Sequence, residues 1–219
     1  MNGASTLLRP MSSARVSRVE HLKSLPRSPG EASFFFSDTH FQYDAVKVLP
    51  GEYYVSNDEV MITTVLGSCI SACIWDSRAR AGGMNHFMLP DGDGDGGGRY
   101  GSYAMELLIN QMLKIGARRE TMQAKVFGGA QVMAGFTSMN VGERNTKFVL
   151  EYLATERIPI VSQDVLDIHP RKVCFFPVNG KALVKRLAHA HPETLAVEER
   201  KGNAASVAKS TAGGSIDLF

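Results

Sequence analysis

Apolar positions along the chain fall into short runs bounded by turn residues. Glu52–Val55, Met61–Val65 and Ile70–Asp76 are β-branched and aromatic, and they predict strands. Gly82–Leu89 predicts another, after the polar turn Asp76-Ser77-Arg78-Ala79-Arg80. From Tyr103 to Ile115 the period lengthens. Ala104, Leu107, Leu108, Met112 and Ile115 share one helical face, and Gly116 stops the helix. Ala124–Phe127 predicts a strand ending at Gly128-Gly129, and Arg144–Thr155 predicts a second helix with a broad apolar face. Ile158–Val161, Lys172–Phe176 and Lys181–Arg186 predict the closing strands. Strands outnumber long helices and do not alternate with them regularly. The expected fold is α/β with α+β character, a layered sandwich of mixed β-sheet packed with helices rather than a doubly wound parallel sheet.

The two ends break this pattern. Residues 1–43 are small, polar and interrupted by proline, with arginines at 9, 15, 18 and 27. They read as a flexible arm carrying a short helix over Ala14–Lys23. Phe34-Phe35-Phe36 is the exception and is expected to pack on the domain or on a partner, because three exposed phenylalanines invite association. Residues 192–219 read as a disordered tail. Its tip, Ser215-Ile216-Asp217-Leu218-Phe219, suits either a short docking motif or a frayed end. The region between, 44–191, is expected to form one domain. A chain of 219 residues with 44% hydrophobic residues can build one sizeable core.

Charge narrows the partners. A formal net charge of +2 gives no electrostatic reason to expect nucleic acid or an anionic membrane. No run of about 18 apolar residues predicts a membrane span. Leu7-Leu8 is followed at once by Arg9-Pro10, so no secretory signal is read and a cytoplasmic location is expected. The cysteines are Cys69, Cys73 and Cys174, an odd and low number that argues against a disulfide framework. What matters is which thiol reacts.

Thr63-Thr64-Val65-Leu66-Gly67-Ser68-Cys69 delivers a cysteine from a Gly-Ser turn between two predicted strands. Backbone N–H groups in such a turn can stabilise a developing oxyanion. On these residues alone Cys69 fits a small core residue as well as a nucleophile. In Gly82–Leu89, His86 interrupts an apolar strand. A buried imidazole needs a partner or a task. Cys69 and His86 lie on consecutive predicted strands and can reach the same end of a sheet, where the imidazole would hold the thiol as thiolate.

Five segments then occur in order: Leu66-Gly67-Ser68-Cys69, Gly83-Met84-Asn85-His86-Phe87-Met88-Leu89-Pro90, Arg99-Tyr100, Lys125-Val126-Phe127-Gly128-Gly129-Ala130 and Val141-Gly142-Glu143-Arg144-Asn145. The series resembles the chemoreceptor glutamine deamidase family, CheD, over roughly residues 45–187. The resemblance implies a catalytic cysteine, histidine and threonine at Cys69, His86 and Thr63. Thr64 is adjacent and chemically identical. It implies attack of Cys69 on a receptor glutamine carboxamide, with His86 serving the thiol and the departing ammonia, and hydrolysis of the thioester by water. Deamidation would contribute to chemotaxis adaptation. Thr63 would orient the ring, and Cys73 and Cys174 would be core residues. The turn around Gly67 and Ser68 would supply oxyanion donors, and Arg99, Gly128 and Gly129 would help form the substrate cleft, the two glycines packing closely beside the turn. No metal or organic cofactor is implied. The implied partners are methyl-accepting receptors and, as in some family members, a CheC-type phosphatase. A monomer is expected.

Other motifs carry less. Asp91-Gly92-Asp93-Gly94-Asp95-Gly96 matches half of a calcium loop, but Ser102 stands where that loop needs glutamate. It reads as a surface loop beside the site. Gly128-Gly129-Ala130 lacks the lysine and spacing of a phosphate loop. Glu143-Arg144-Asn145 reads as a helix start, with Glu143 favoured by the helix dipole. A regulatory binding protein is the competing function. A papain-like protease would need an asparagine and a long groove that the sequence does not reveal.

Overall fold

The computed structural model describes residues 13–89, 96–131, 141–187 and 216–219. Eleven strands are described: β1 (Phe34–Asp38), β2 (Tyr43–Lys47), β3 (Tyr53–Ser56), β4 (Met61–Leu66), β5 (Ile70–Asp76), β6 (Ala81–Asn85), β7 (Met122–Gly128), β8 (Ile160–Val165), β9 (Arg171–Phe176), β10 (Lys181–Arg186) and β11 (Ile216–Leu218). The helices are α1 (Ser13–Ser24), α2 (Gly96–Lys114) and α3 (Val141–Thr155). The strands form two mixed sheets, ordered β1-β2-β4-β9-β10-β11 and β3-β6-β5-β7-β8. The expected mixed-sheet α+β class is what the chain adopts.

Period-two alternation divides the apolar residues among layers. Cys73 of β5, Met84 of β6 and Phe127 of β7 share a core with Val46, Ile62, Leu66, Val173, Phe175 and Val184 of the six-stranded sheet. The two sheets therefore pack face to face. Ile70, Ala72 and Ile74 point the other way and pack with Met105, Leu108, Met112, Val149 and Leu153 of α2 and α3. A third cluster, around Met61, Cys174 and Phe176, lies on the outer face of the six-stranded sheet.

Two expected boundaries are corrected. The arm drawn over residues 1–43 contains part of the domain. Phe35 is buried, β1 pairs antiparallel with β2 along its whole length, and the Arg27 guanidinium sits 4.4 Å above the Phe35 ring. Val19 and Leu22 of α1 are buried as well. The tail drawn over 192–219 ends in order: β11 pairs antiparallel with β10, and the Phe219 ring meets Phe127 edge-on at 5.9 Å. Lys125 Nζ donates to the Phe219 carbonyl at 2.6 Å. Each segment is too short to show its own period, and its burial depends on a sheet edge that only the folded chain supplies. Residues 1–12, the acidic-glycine run 91–95 and tail residues 192–215 lie outside the described residues.

Candidate active site

His86 follows the last residue of β6, and its backbone remains paired. Its N–H donates to Glu52 O at 2.9 Å, and its carbonyl accepts from Gly51 N–H at 2.7 Å. The predicted strand to Leu89 ends at Asn85, yet Ile70 and Phe87 still exchange both backbone hydrogen bonds, at 2.9 and 3.0 Å. Cys69 and His86 flank that bridge on neighbouring strands. His86 lies two residues beyond Met84, which faces the inter-sheet core, and Cys69 packs against the same core. The two residues are thus diagonal neighbours on one face of an antiparallel ladder, a relation that lets long side chains meet.

Alternation also separates the two threonines. Thr64 shares the inner face of β4 with Ile62 and Leu66. Its Oγ1 lies 2.8 Å from His86 Nδ1 and 2.7 Å from Val48 O. Thr63 faces outward. Its hydroxyl donates to Val173 O at 2.9 Å and lies 3.5 Å from Cys174 Sγ. The threonine that meets His86 is therefore Thr64, and Thr63 sits on the opposite side of the strand. A strand turns successive side chains to opposite faces, so both cannot reach one ring.

The hydrogen-bond network assigns the histidine tautomer. Val48 O can only accept, so the single Thr64 hydroxyl proton goes to it. Thr64 Oγ1 then accepts from His86 Nδ1–H, which leaves the Nε2 lone pair available. Nε2 is buried and has no hydrogen-bond partner among the described residues. His86 is 2% exposed. Burial pushes its pKa down to about 4; the hydrogen bond to Val48 opposes this and the Lys47 charge adds to it. The ring is neutral at pH 7 and is a base at Nε2.

The Gly67–Cys69 turn is built differently. Gly67, Ser68 and Cys69 are half-buried. Their three consecutive carbonyls each accept a hydrogen bond from the β7–α3 side. Ala130 N–H donates to Gly67 O at 2.8 Å, Asn145 Nδ2 to Ser68 O at 2.8 Å, and Gly129 N–H to Cys69 O at 2.7 Å. Gly128 lies so close that an added Cβ would stand 2.2 Å from Cys69 O, and its φ is +113°. Gly129 has φ +70°, and a Cβ there would meet Thr146 Oγ1 at 2.2 Å. Only glycine fits this approach. The Gly129 N–H is spent on Cys69 O, so Gly128 and Gly129 support the turn from behind and do not face a substrate.

The remaining candidates separate clearly. Cys73 and Cys174 are buried, and burial raises both thiol pKa values, that of Cys73 to about 12. No cysteine forms a disulfide. Arg99 is exposed near the start of α2. Ser68 Oγ lies 3.9 Å from Met88 Sδ, and Met88 is exposed at the rim. Among the described residues no three His, Cys, Asp or Glu side chains gather to hold a metal ion, and no helix is long and apolar enough to cross a membrane. Sequence reasoning missed Val48, whose contribution is a main-chain carbonyl. It also passed over Asn145 as part of a helix start.

Known proteins match this architecture at the sequence level. The family model described as CheD chemotactic sensory transduction matches residues 88–186. A probable chemoreceptor glutamine deamidase CheD 1 from Albidiferax ferrireducens is 82% identical over 205 residues, covering 93% of this chain and 88% of the relative. The chain belongs to the CheD family. A probable CheD of Thiobacillus denitrificans is 51% identical over 86% of this chain and 96% of its own length. One from Janthinobacterium is 52% identical over 86% and 95%. Among solved structures, the Bacillus licheniformis hypothetical protein YfiH aligns over 53% of this chain and 51% of its own, at 9% identity and a TM-score of 0.39. The match to the CheD model begins two residues after His86.

Proposed function

We propose that this CheD protein is a chemoreceptor glutamine deamidase in which Cys69 is the nucleophile, His86 the general base and then acid, and Thr64 the residue that orients the ring. The observation that carries this reading is the Thr64–His86 hydrogen bond at 2.8 Å. It points a neutral imidazole, proton on Nδ1, from the same sheet face as the half-buried Cys69. The relatives' names supply the substrate: glutamine side chains of chemoreceptors.

The depressed basicity of His86 shapes the chemistry. A ring that protonates near pH 4 does not hold a standing imidazolium against a thiolate. The resting pair is thiol and imidazole, and the proton moves as sulfur attacks. Cys69 Sγ bonds to the carboxamide carbon, and Nε2 takes the thiol proton. The oxyanion is met by N–H groups of the Ser68-Cys69 turn. Collapse breaks the C–N bond, and His86 returns the proton to the leaving ammonia. Water, deprotonated by the same Nε2, then cleaves the thioester to release glutamate and regenerate the thiol. Thr64 is uncharged, so it fixes tautomer and orientation without stabilising the imidazolium as a carboxylate would.

Each turnover replaces a neutral amide by a carboxylate on the receptor. Adaptation is affected through that change in charge. The direct test incubates a receptor cytoplasmic domain with wild-type protein or Cys69→Ala and maps glutamine-to-glutamate conversion by mass spectrometry. Conversion by the wild type and none by the variant is expected. Absence with the wild type rejects the deamidase, and conversion retained by Cys69→Ala rejects the nucleophile.

A further inference from the structure

We infer that Asn145 is a positioning residue that sets the Ser68–Cys69 peptide so that its N–H can act on the oxyanion. The inference rests on the reading of Cys69 as nucleophile. Asn145 is fully buried in α3. Its Nδ2 donates to Ser68 O at 2.8 Å, and its Oδ1 accepts from Leu89 N–H at 2.9 Å. One amide therefore ties the nucleophile turn to the segment three residues past His86. Its other neighbours in the helix serve packing: Thr146 returns its hydroxyl to Gly142 O, and Val149 and Leu153 fill the core beneath β5.

The geometry of a peptide unit gives that bond its consequence. No described peptide is cis, and in a trans peptide the C=O and the following N–H point in opposite directions. Drawing Ser68 O toward Asn145 turns the Cys69 N–H away from α3. Ala130 does the same for the Gly67–Ser68 peptide by holding Gly67 O. The Ser68 and Cys69 N–H groups are then aimed to one side of the turn as an anion-binding nest, beside the sulfur. Ala130 and Gly129 donate through main-chain N–H groups, which belong to no side chain. Asn145 is the only one of the three donors that a side-chain change removes.

Two reagents separate this role from simple support of the fold. Acetylation of Cys69 by p-nitrophenyl acetate passes through a tetrahedral oxyanion. Sulfur bonds to the acetyl carbon, p-nitrophenolate leaves, and the thiol proton goes to His86. Alkylation by iodoacetamide displaces iodide at a saturated carbon and builds no oxyanion. Cys69→Ala serves as the blank for both, and neither requires a receptor. In Asn145→Ala and Asn145→Asp, acetylation should slow by about 100-fold, the scale of losing an oxyanion donor, while alkylation stays within about threefold of wild type. Asn145→Asp keeps an acceptor for Leu89 N–H but withholds the donor from Ser68 O, so it isolates the bond that matters. Equal slowing of both reactions, or of neither, in the two variants would overturn the role of Asn145. A wild type that is not acetylated at Cys69 would instead overturn the nucleophile on which the role rests.

Discussion

The Gly67–Cys69 turn takes its shape from hydrogen bonds to three successive carbonyls, two of them given by backbone N–H groups of Gly129 and Ala130. His86, on the neighbouring strand, takes its orientation from a single side chain on the other sheet. The difference predicts opposite sensitivities. A site held by main chain tolerates changes of side-chain chemistry but not an added carbon atom where the backbones touch. A site held by one hydroxyl tolerates small steric changes but not the loss of that oxygen.

The strongest attack on the turn is Gly128→Ala. The new methyl would stand 2.2 Å from Cys69 O at a φ of +113°. Nothing flexible lies in the way to yield, because the obstacle is backbone. A loss of about 4 kcal/mol is expected, at the upper end for single substitutions, since strain and displacement of the paired strands β5 and β7 add. Urea unfolding measures it. A variant as stable as wild type would mean that the turn is not set by this contact.

The attack on the histidine side comes from pH. His86 ordinarily titrates near 6.5, and in the folded chain near 4. Above pH 6.5 both states are neutral there and the full stability is present. As pH falls the unfolded chain binds a proton that the folded chain refuses, so stability declines until the folded pKa is reached. The loss over that interval is about 3 kcal/mol. Urea midpoints at pH 7, 5.5 and 4.5 should fall in the wild type and fall less in His86→Asn. Equal slopes would show that the buried ring is not the source. The same depression keeps the base available, so the acid limb of kcat/KM should lie well below pH 6.5.

Thr64→Val removes the oxygen and little volume. His86 Nδ1–H loses its nearer acceptor and keeps only the 3.4 Å contact to Val48 O, so the ring is held less firmly. kcat should fall about 100-fold, equivalent to about 2.7 kcal/mol, with KM little changed. Thr64→Ser should restore most of it. Loss of KM alone would recast Thr64 as a substrate contact.

The legible parts of the molecule were those with local signals. β5 and β10 are legible because each is a short run of six or seven residues between clear turns. Cys69 and His86 were legible because a cysteine after Gly-Ser and a histidine within an apolar strand break the pattern around them. α2 starts seven residues before the expected Tyr103, because its first turn is glycine-rich and carries no apolar period. β1 and β11 were hidden because their stability comes from edges of a sheet built by residues distant in sequence. Asn145 was hidden for a related reason. Nothing near it in sequence shows that its amide meets residues 68 and 89.

The smallest effect is expected at Thr63, the position that family resemblance implies as the third catalytic residue. Thr63 and Thr64 present the same hydroxyl, and only the parity of β4 separates them. Thr63→Val deletes a donor to Val173 O and leaves the Thr64–His86 pair intact. Stability should fall by about 1 kcal/mol, the usual net value of one buried hydrogen bond. The deamidation rate should stay within about threefold of wild type, against the hundredfold loss in Thr64→Val, because a hydroxyl on the outer face has no path to the ring. Measured side by side on one receptor fragment, the two variants test the strand's register directly. A hundredfold loss in Thr63→Val with a mild effect in Thr64→Val would mean that β4 presents its other face to His86. The side-chain half of the comparison would then have to be redrawn around Thr63.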